Sequence, residues 1–119
     1  MEEFTWKDIK VSGGPEIVDN SEVSVLYKVA LSKEDLCNGK FIESTYNPDV
    51  PVRVRVNEKS LLCGVYKGIL GMRGGGSVRQ ITIPAAMAFG ERGFAGITSN
   101  KDIYVEVCAV SVDNDSINE

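Results

Sequence analysis

At 119 residues, with 43% hydrophobic and 25% charged side chains, the chain has room for one globular domain with one core and no second. Its net charge of −4 and the scatter of Arg53, Arg55, Arg73, Arg79 and Arg92 argue against nucleic acid as the main partner. Histidine is absent, which removes Ser-His-Asp and Cys-His catalysis, histidine zinc sites and histidine pH switching together.

The first segment, residues 1–7, reads as an arm or edge strand whose Phe4 and Trp6 cap the core, with Asp8 to Val11 extending it. The start M-E-E-F-T-W-K-D-I-K carries acids where a signal peptide carries bases and lacks an apolar stretch, so export is not expected. No apolar run approaches the length of a membrane span. Ser12-Gly13-Gly14-Pro15 is a turn. From Glu22 to Leu31 the chain alternates, with Val23, Val25, Tyr27, Val29 and Leu31 on one face of a strand. The polar stretch Ser32 to Lys40, with Asn38-Gly39, reads as a hairpin or bulge. A short strand resumes at Phe41 to Ser44, a loop holds Asn47-Pro48, and Val52, Val54 and Val56 line one face of the next strand.

A helix is expected from about Ser60 to Leu70, with Leu61, Leu62, Val65 and Ile69 at helical spacing. Gly64 and Gly68 lie inside it, each costing about 1 kcal/mol against alanine, a cost tolerable where the backbone packs closely on a sheet. Gly71 supplies a left-handed stop, and Gly74, Gly75 and Gly76 form a turn. Arg79, Ile81 and Ile83 then alternate with Val78, Gln80 and Thr82 up to Pro84, which closes the strand. A last strand runs from Asp102 to Val112, followed by an acidic polar tail, residues 113–119. Three cysteines without metal-like spacing point to reduced thiols in the cytoplasm or nucleus, with Cys63 and Cys108 as small buried hydrophobes. Neither the phosphate loop nor G-x-G-x-x-G fits the glycines, since the lysine is missing from the first and Arg79 holds the last position of the second.

The stretch G-M-R-G-G-G, then Q-I-T-I-P, then A-F-G-E-R-G resembles the signature of FKBP-type peptidyl-prolyl isomerases. E-V-S-V-L-Y-K-V at 22–29, G-K-F at 39–41, P-V-R-V-R-V at 51–56 and D-I-Y-V-E-V at 102–107 extend the resemblance over most of the chain. It implies an α+β fold over residues 1–112, a bent antiparallel half-barrel wrapped around one short helix. A small β-sandwich adhesion domain would account for the strands but not for the helix or the glycine signature.

The resemblance also implies a substrate pocket between sheet and helix, with no cofactor, no metal and no acid–base or covalent catalytic residue. Its lining would be Tyr27, Phe41, Ile42, Val52, Leu61, Leu62, Val65, Phe89, Ile97 and Val105, the Leu62 N–H binding a substrate carbonyl. Five of these depart from the family pattern. Ile42 stands for an aspartate, Val52 and Val105 for phenylalanines, Val65 for the tryptophan of the pocket floor, and Phe89 for a tyrosine. The implied partners are proline-containing peptide or protein segments, and chaperone complexes if the domain belongs to a longer chain; no nucleic acid or membrane partner is expected. The lost aromatics predict weak isomerase activity and weak macrolide binding. The alternative is a catalytically silent interaction domain.

Overall fold

The computed structural model describes residues 4–45, 50–57, 59, 61, 63–87 and 101–114. Its strands are β1 (Thr5–Lys10), β2 (Glu22–Ala30), β3 (Glu43–Thr45), β4 (Val52–Arg55), β5 (Ser77–Ile83) and β6 (Ile103–Asp113). Two short helices join them, α1 (Lys33–Asn38) and α2 (Cys63–Ile69), and a 3₁₀ turn spans Ala85–Met87. The sheet is antiparallel throughout and ordered β1-β5-β6-β2-β3, with β4 pairing the first half of β2. Register shifts between Ser24 and Val25 and between Asp8 and Lys10 break the ladders, the kind of irregularity that bends a sheet.

Period-two alternation gives the sheet two unlike faces. Ile81 pairs with Val105, which pairs with Val29; Arg79 pairs with Val107, which pairs with Tyr27. With Ile83, Ile103, Val23, Val25 and Ala109 these positions form the inner face, buried beneath α2 and joined in the core by Ile17, Val56, Ile69 and Met72. The outer face carries the rows Thr5–Thr82–Tyr104–Ala30 and Lys7–Gln80–Glu106–Lys28. Along β4 the expected solvated face is realised: Val52 and Val54 pack on the core, while Arg53 bonds Glu22 at 2.7 Å and Arg55 lies 3.6 Å from the same carboxylate. The Arg53 hydrogen bond holds the Glu22 carboxyl below the usual carboxylate range.

The two glycines of α2 are there for proximity. A β-carbon on Gly68 would lie 2.7 Å from Cδ1 of Ile81, and one on Gly64 would run into Ile83. Gly68→Ala is therefore expected to destabilise the fold by about 1–2 kcal/mol, overpacking outweighing the gain in helix propensity of about 1 kcal/mol. Urea denaturation checks this; a more stable variant would contradict it. Past the helix, Gly71 takes φ 87°, the left-handed stop the sequence predicts.

Among the described residues Arg79 is the one arginine drawn into the interior, its side chain 8% exposed. One guanidinium nitrogen, Nη1, donates to the Gly68 and Leu70 carbonyls at 2.9 and 3.1 Å, and Nε donates to Asp8 at 2.6 Å. The Gly68 carbonyl lies in the last turn of α2 and that of Leu70 directly after it, where carbonyls lack intrahelical donors. The guanidinium thus ties helix, central sheet and edge strand together.

Three expectations need correction. Residues 32–40 form no hairpin: Ser32 caps α1 by accepting from the Asp35 N–H at 3.0 Å, Glu34 and Asp35 fill the first turn, and Gly39 ends it at φ 78°. Hence two helices contact the sheet, α2 inside and α1 outside. Trp6 does not cap the core; it is 51% exposed, its ring tilted against Phe4 at 5.8 Å and 5.4 Å from the Arg79 guanidinium. Cys63 is exposed, because it opens α2 on the side away from the sheet-facing glycines. The helix expected from about Ser60 to Leu70 is described over Cys63–Ile69; Ser60 and Leu62 lie outside the described residues.

Cys37 is exposed as well, while Cys108 is half-buried and burial pushes its thiol up. Because the thiolate is the nucleophile, a neutral alkylating reagent at neutral pH is expected to modify Cys37 and Cys63 quickly and Cys108 slowly. Three equal rates in a mass-resolved time course would contradict this.

Candidate functional site

The inner face continues from the core to its rim, and there the predicted lining collects. Tyr27 sits opposite Val107 on the β2–β6 ladder, and Val52 opposite Val25 on the β2–β4 ladder. Val65 comes from α2 and Leu61 from the turn before it. All four are half-buried and pack against the core cluster. Val105 is deeper, 3% exposed between Val29 and Ile81. Five predicted residues, from β2, β4, β6, α2 and the turn before it, thus belong to or pack against the core cluster beneath α2.

The others part ways. The Phe41 ring lies 5.4 Å from the Lys28 ammonium, which also pairs with Glu106 at 3.3 Å. Lys28 and Glu106 belong to the outer row, so the contact draws Phe41 toward the sheet margin. Ile42, just ahead of β3, is 39% exposed. Leu62, Phe89 and Ile97 lie outside the described residues.

Two contributions were missed by sequence reasoning. Met87, from the 3₁₀ turn after β5, is half-buried against the same cluster. Asp102 accepts from the Ala85 N–H at 2.9 Å, so the flanks of segment 88–100 are held together at the margin of the site. The signal for both was present: Pro84 must end β5, and an aspartate ahead of β6 is a ready acceptor for an unpaired N–H of the turn.

Among the described lining residues, Tyr27, Val52, Leu61, Val65, Met87 and Val105, the Tyr27 phenol is the sole ionisable group. Such a surface is built to hold apolar groups and to keep water from whatever rests on it. Val65 offers that surface only an isopropyl group, and Val105 lies beneath it, 3% exposed; an aromatic ring buries roughly 150–250 Å².

Known proteins are similar to this chain in sequence and in fold. A family profile described as FKBP-type peptidyl-prolyl cis-trans isomerase matches residues 14–109. FK506-binding protein 15 of Mus musculus is 32% identical over 114 residues, covering 92% of this chain and 9% of the relative. An FK506-binding protein of Streptomyces anulatus is 33% identical over 91 residues, 76% of this chain and 68% of the relative. Among solved structures, FkpA of Escherichia coli superposes with a TM-score of 0.77 at 23% identity, over 92% of this chain and 48% of its own. AtFKBP13 gives 0.75 at 25% identity, over 91% of both chains. The chain thus spans about a tenth of the mouse relative and about half of the bacterial structure. Among the described residues no helix is long and apolar enough to cross a membrane.

Proposed function

Since the chain belongs to the FKBP-type peptidyl-prolyl cis-trans isomerase family, we propose that it catalyses cis–trans isomerisation of prolyl bonds in peptide or protein segments, at a rate below that of relatives with a full aromatic lining. The observation that carries this reading is the shared apolar face of Tyr27, Val52, Leu61, Val65 and Val105. Rotation about the C–N bond is slow because resonance is lost, with a barrier of roughly 18–20 kcal/mol. The twisted transition state separates less charge than the planar amide. An apolar, dry surface favours it without nucleophile, base or metal.

The expected weakness follows from Val52, Val65 and Val105. An aromatic contact contributes about 1 kcal/mol beyond its buried area. Three such losses together amount to about a hundredfold in kcat/KM. A coupled proline-peptide assay run beside an aromatic-complete relative should show that deficit, and titration with a macrolide such as rapamycin should show binding weakened in parallel. Turnover equal to the relative's, or tight macrolide binding, would overturn the claim of weakness. No acceleration over the uncatalysed rate would favour a silent interaction domain.

The same reading places the protein in a reducing compartment, cytoplasmic or nuclear, on the support of three free cysteines. Service alongside chaperones belongs to it if the domain works within a longer chain.

A further inference from the structure

The outer side of the sheet carries a reactive pair of residues that isomerase chemistry does not use. Asn38-Gly39 is the single Asn-Gly pair in the chain. In such a pair the glycine nitrogen can attack the asparagine side-chain amide, because glycine has no side chain to block the approach. The fold places the pair at the exit of α1, with Asn38 as the last helical residue and Gly39 as the left-handed cap at φ 78°. Both residues are exposed. The Gly39 N–H, whose nitrogen is the nucleophile, donates to the Asp35 carbonyl, and the Lys40 N–H donates to the same oxygen at 2.9 Å. Ring closure requires the Asn38 backbone to leave the helical region, so α1 protects the pair while it is formed. The protection is thin. α1 has six residues, none of them buried. Its start depends on the Ser32 side chain, which accepts from the Asp35 N–H at 3.0 Å. Few buried contacts and solvent-exposed backbone bonds mark a segment that opens locally at low free energy.

We propose that Asn38 is a self-modification site: it deamidates when α1 opens, and its product leaves α1 loosened. The Gly39 nitrogen bonds to Cγ of Asn38 as the Cγ–Nδ2 bond breaks, and ammonia leaves with the proton that the Gly39 nitrogen gives up. Water then opens the five-membered imide at one of its two carbonyls. Cleavage of the Cγ–nitrogen bond gives aspartate, and cleavage of the main-chain carbonyl–nitrogen bond gives isoaspartate. Solvent water is the only co-reactant. Either product sets a carboxylate at the C-terminal end of α1, where the helix dipole is already negative. Aspartate there follows Glu34 by four residues and Asp35 by three, the spacings at which like charges on a helix repel. Isoaspartate lengthens the main chain by one carbon just ahead of the two N–H groups that close the helix on Asp35. The site lies on the opposite side of the sheet from the inner apolar surface, so the inference stands apart from the isomerase reading.

The experiment ages the intact chain at neutral pH beside a free peptide of residues 32–40. Peptide mapping by mass spectrometry, with chromatographic separation of the asparagine, aspartate and isoaspartate forms, follows residue 38 in both. The intact chain is expected to deamidate there about tenfold more slowly than the peptide, since only its opened fraction reacts. Ser32→Ala removes the cap and should speed the reaction in the intact chain about fivefold, leaving the rate of the matching peptide unchanged. Asn38→Asp reproduces one product directly. It should raise amide hydrogen exchange at Leu36 and Lys40, whose N–H groups bond the Ser32 and Asp35 carbonyls, by about twofold to fivefold, with β5 unaffected. An intact chain that reacts as fast as the peptide, a Ser32→Ala chain that keeps the parent's rate, or an Asn38→Asp chain with unaltered exchange in α1 would each overturn the inference.

Discussion

Arg79→Leu is expected to lower the stability of this domain by about 3 kcal/mol, within the range for breaking a buried charged network. The argument rests on which groups lose a partner. In the native protein one guanidinium serves the Gly68 and Leu70 carbonyls and the Asp8 carboxylate. Asp8 is 41% exposed and can turn to water, so its share is small. The Gly68 carbonyl bond is buried, and leucine leaves that acceptor without this donor. The Trp6 ring above the guanidinium loses its cation as well. Lysine at the same position restores the charge but not the planar fork, so Arg79→Lys should recover only part of the loss. Urea denaturation with an unchanged slope is the check. A loss below about 0.5 kcal/mol, the size of an ordinary surface change, would show that the network contributes nothing.

Val65→Trp is expected to raise kcat/KM on a prolyl peptide by about tenfold. Val65 sits on α2, half-buried against the core cluster, and the family resemblance proposes it as the counterpart of a tryptophan on the pocket floor. If missing aromatic surface is what weakens catalysis, one restored ring should return about 1 kcal/mol of transition-state contact, which is close to tenfold. The larger side chain carries an overpacking cost of about 1–3 kcal/mol, so stability is to be measured beside activity. Macrolide affinity should rise with turnover, since both use the same surface. A folded variant with unchanged kinetics and unchanged affinity would mean that the aromatic deficit is not the cause.

How much of this was legible beforehand differs from element to element. The sheet was readable because its strands alternate cleanly: Val23, Val25, Tyr27 and Val29 on β2, and Ile103, Val105, Val107 and Ala109 on β6 are all on the inner face. The close approach of α2 was readable from Gly64 and Gly68, four residues apart in a helix that would otherwise avoid them. α1 was misread because Asn38-Gly39 signals a hairpin and a helix stop equally well. The deciding residues were Ser32 and Asp35, three apart, whose side chain and N–H close the helix start. Arg79 alternates in step with Ile81 and Ile83, so its inward position was implicit. Its partners were not, because two are main-chain carbonyls at a helix end whose location depends on the packed fold.

The site was legible in part for the same reason. Residues fixed by ladder register, Tyr27, Val52 and Val105, lie on the inner face as the strand pattern dictates. Phe41 precedes β3 and is held by no ladder, and its ring meets Lys28 instead. Sequence pattern specifies faces well; it does not specify where a side chain at a sheet margin turns.

The most direct measurement is exchange NMR on an Ala-Leu-Pro-Phe type peptide mixed with the labelled chain. Uncatalysed prolyl isomerisation takes tens to hundreds of seconds, so any cis–trans exchange cross-peak on the sub-second scale belongs to the protein. Such cross-peaks are expected, with peptide-induced amide shifts centred on Tyr27, Val52, Leu61, Val65 and Val105. A peptide that exchanges no faster than in buffer, or shifts confined to α1 and the outer face, would contradict the claim that the inner apolar surface turns prolyl bonds.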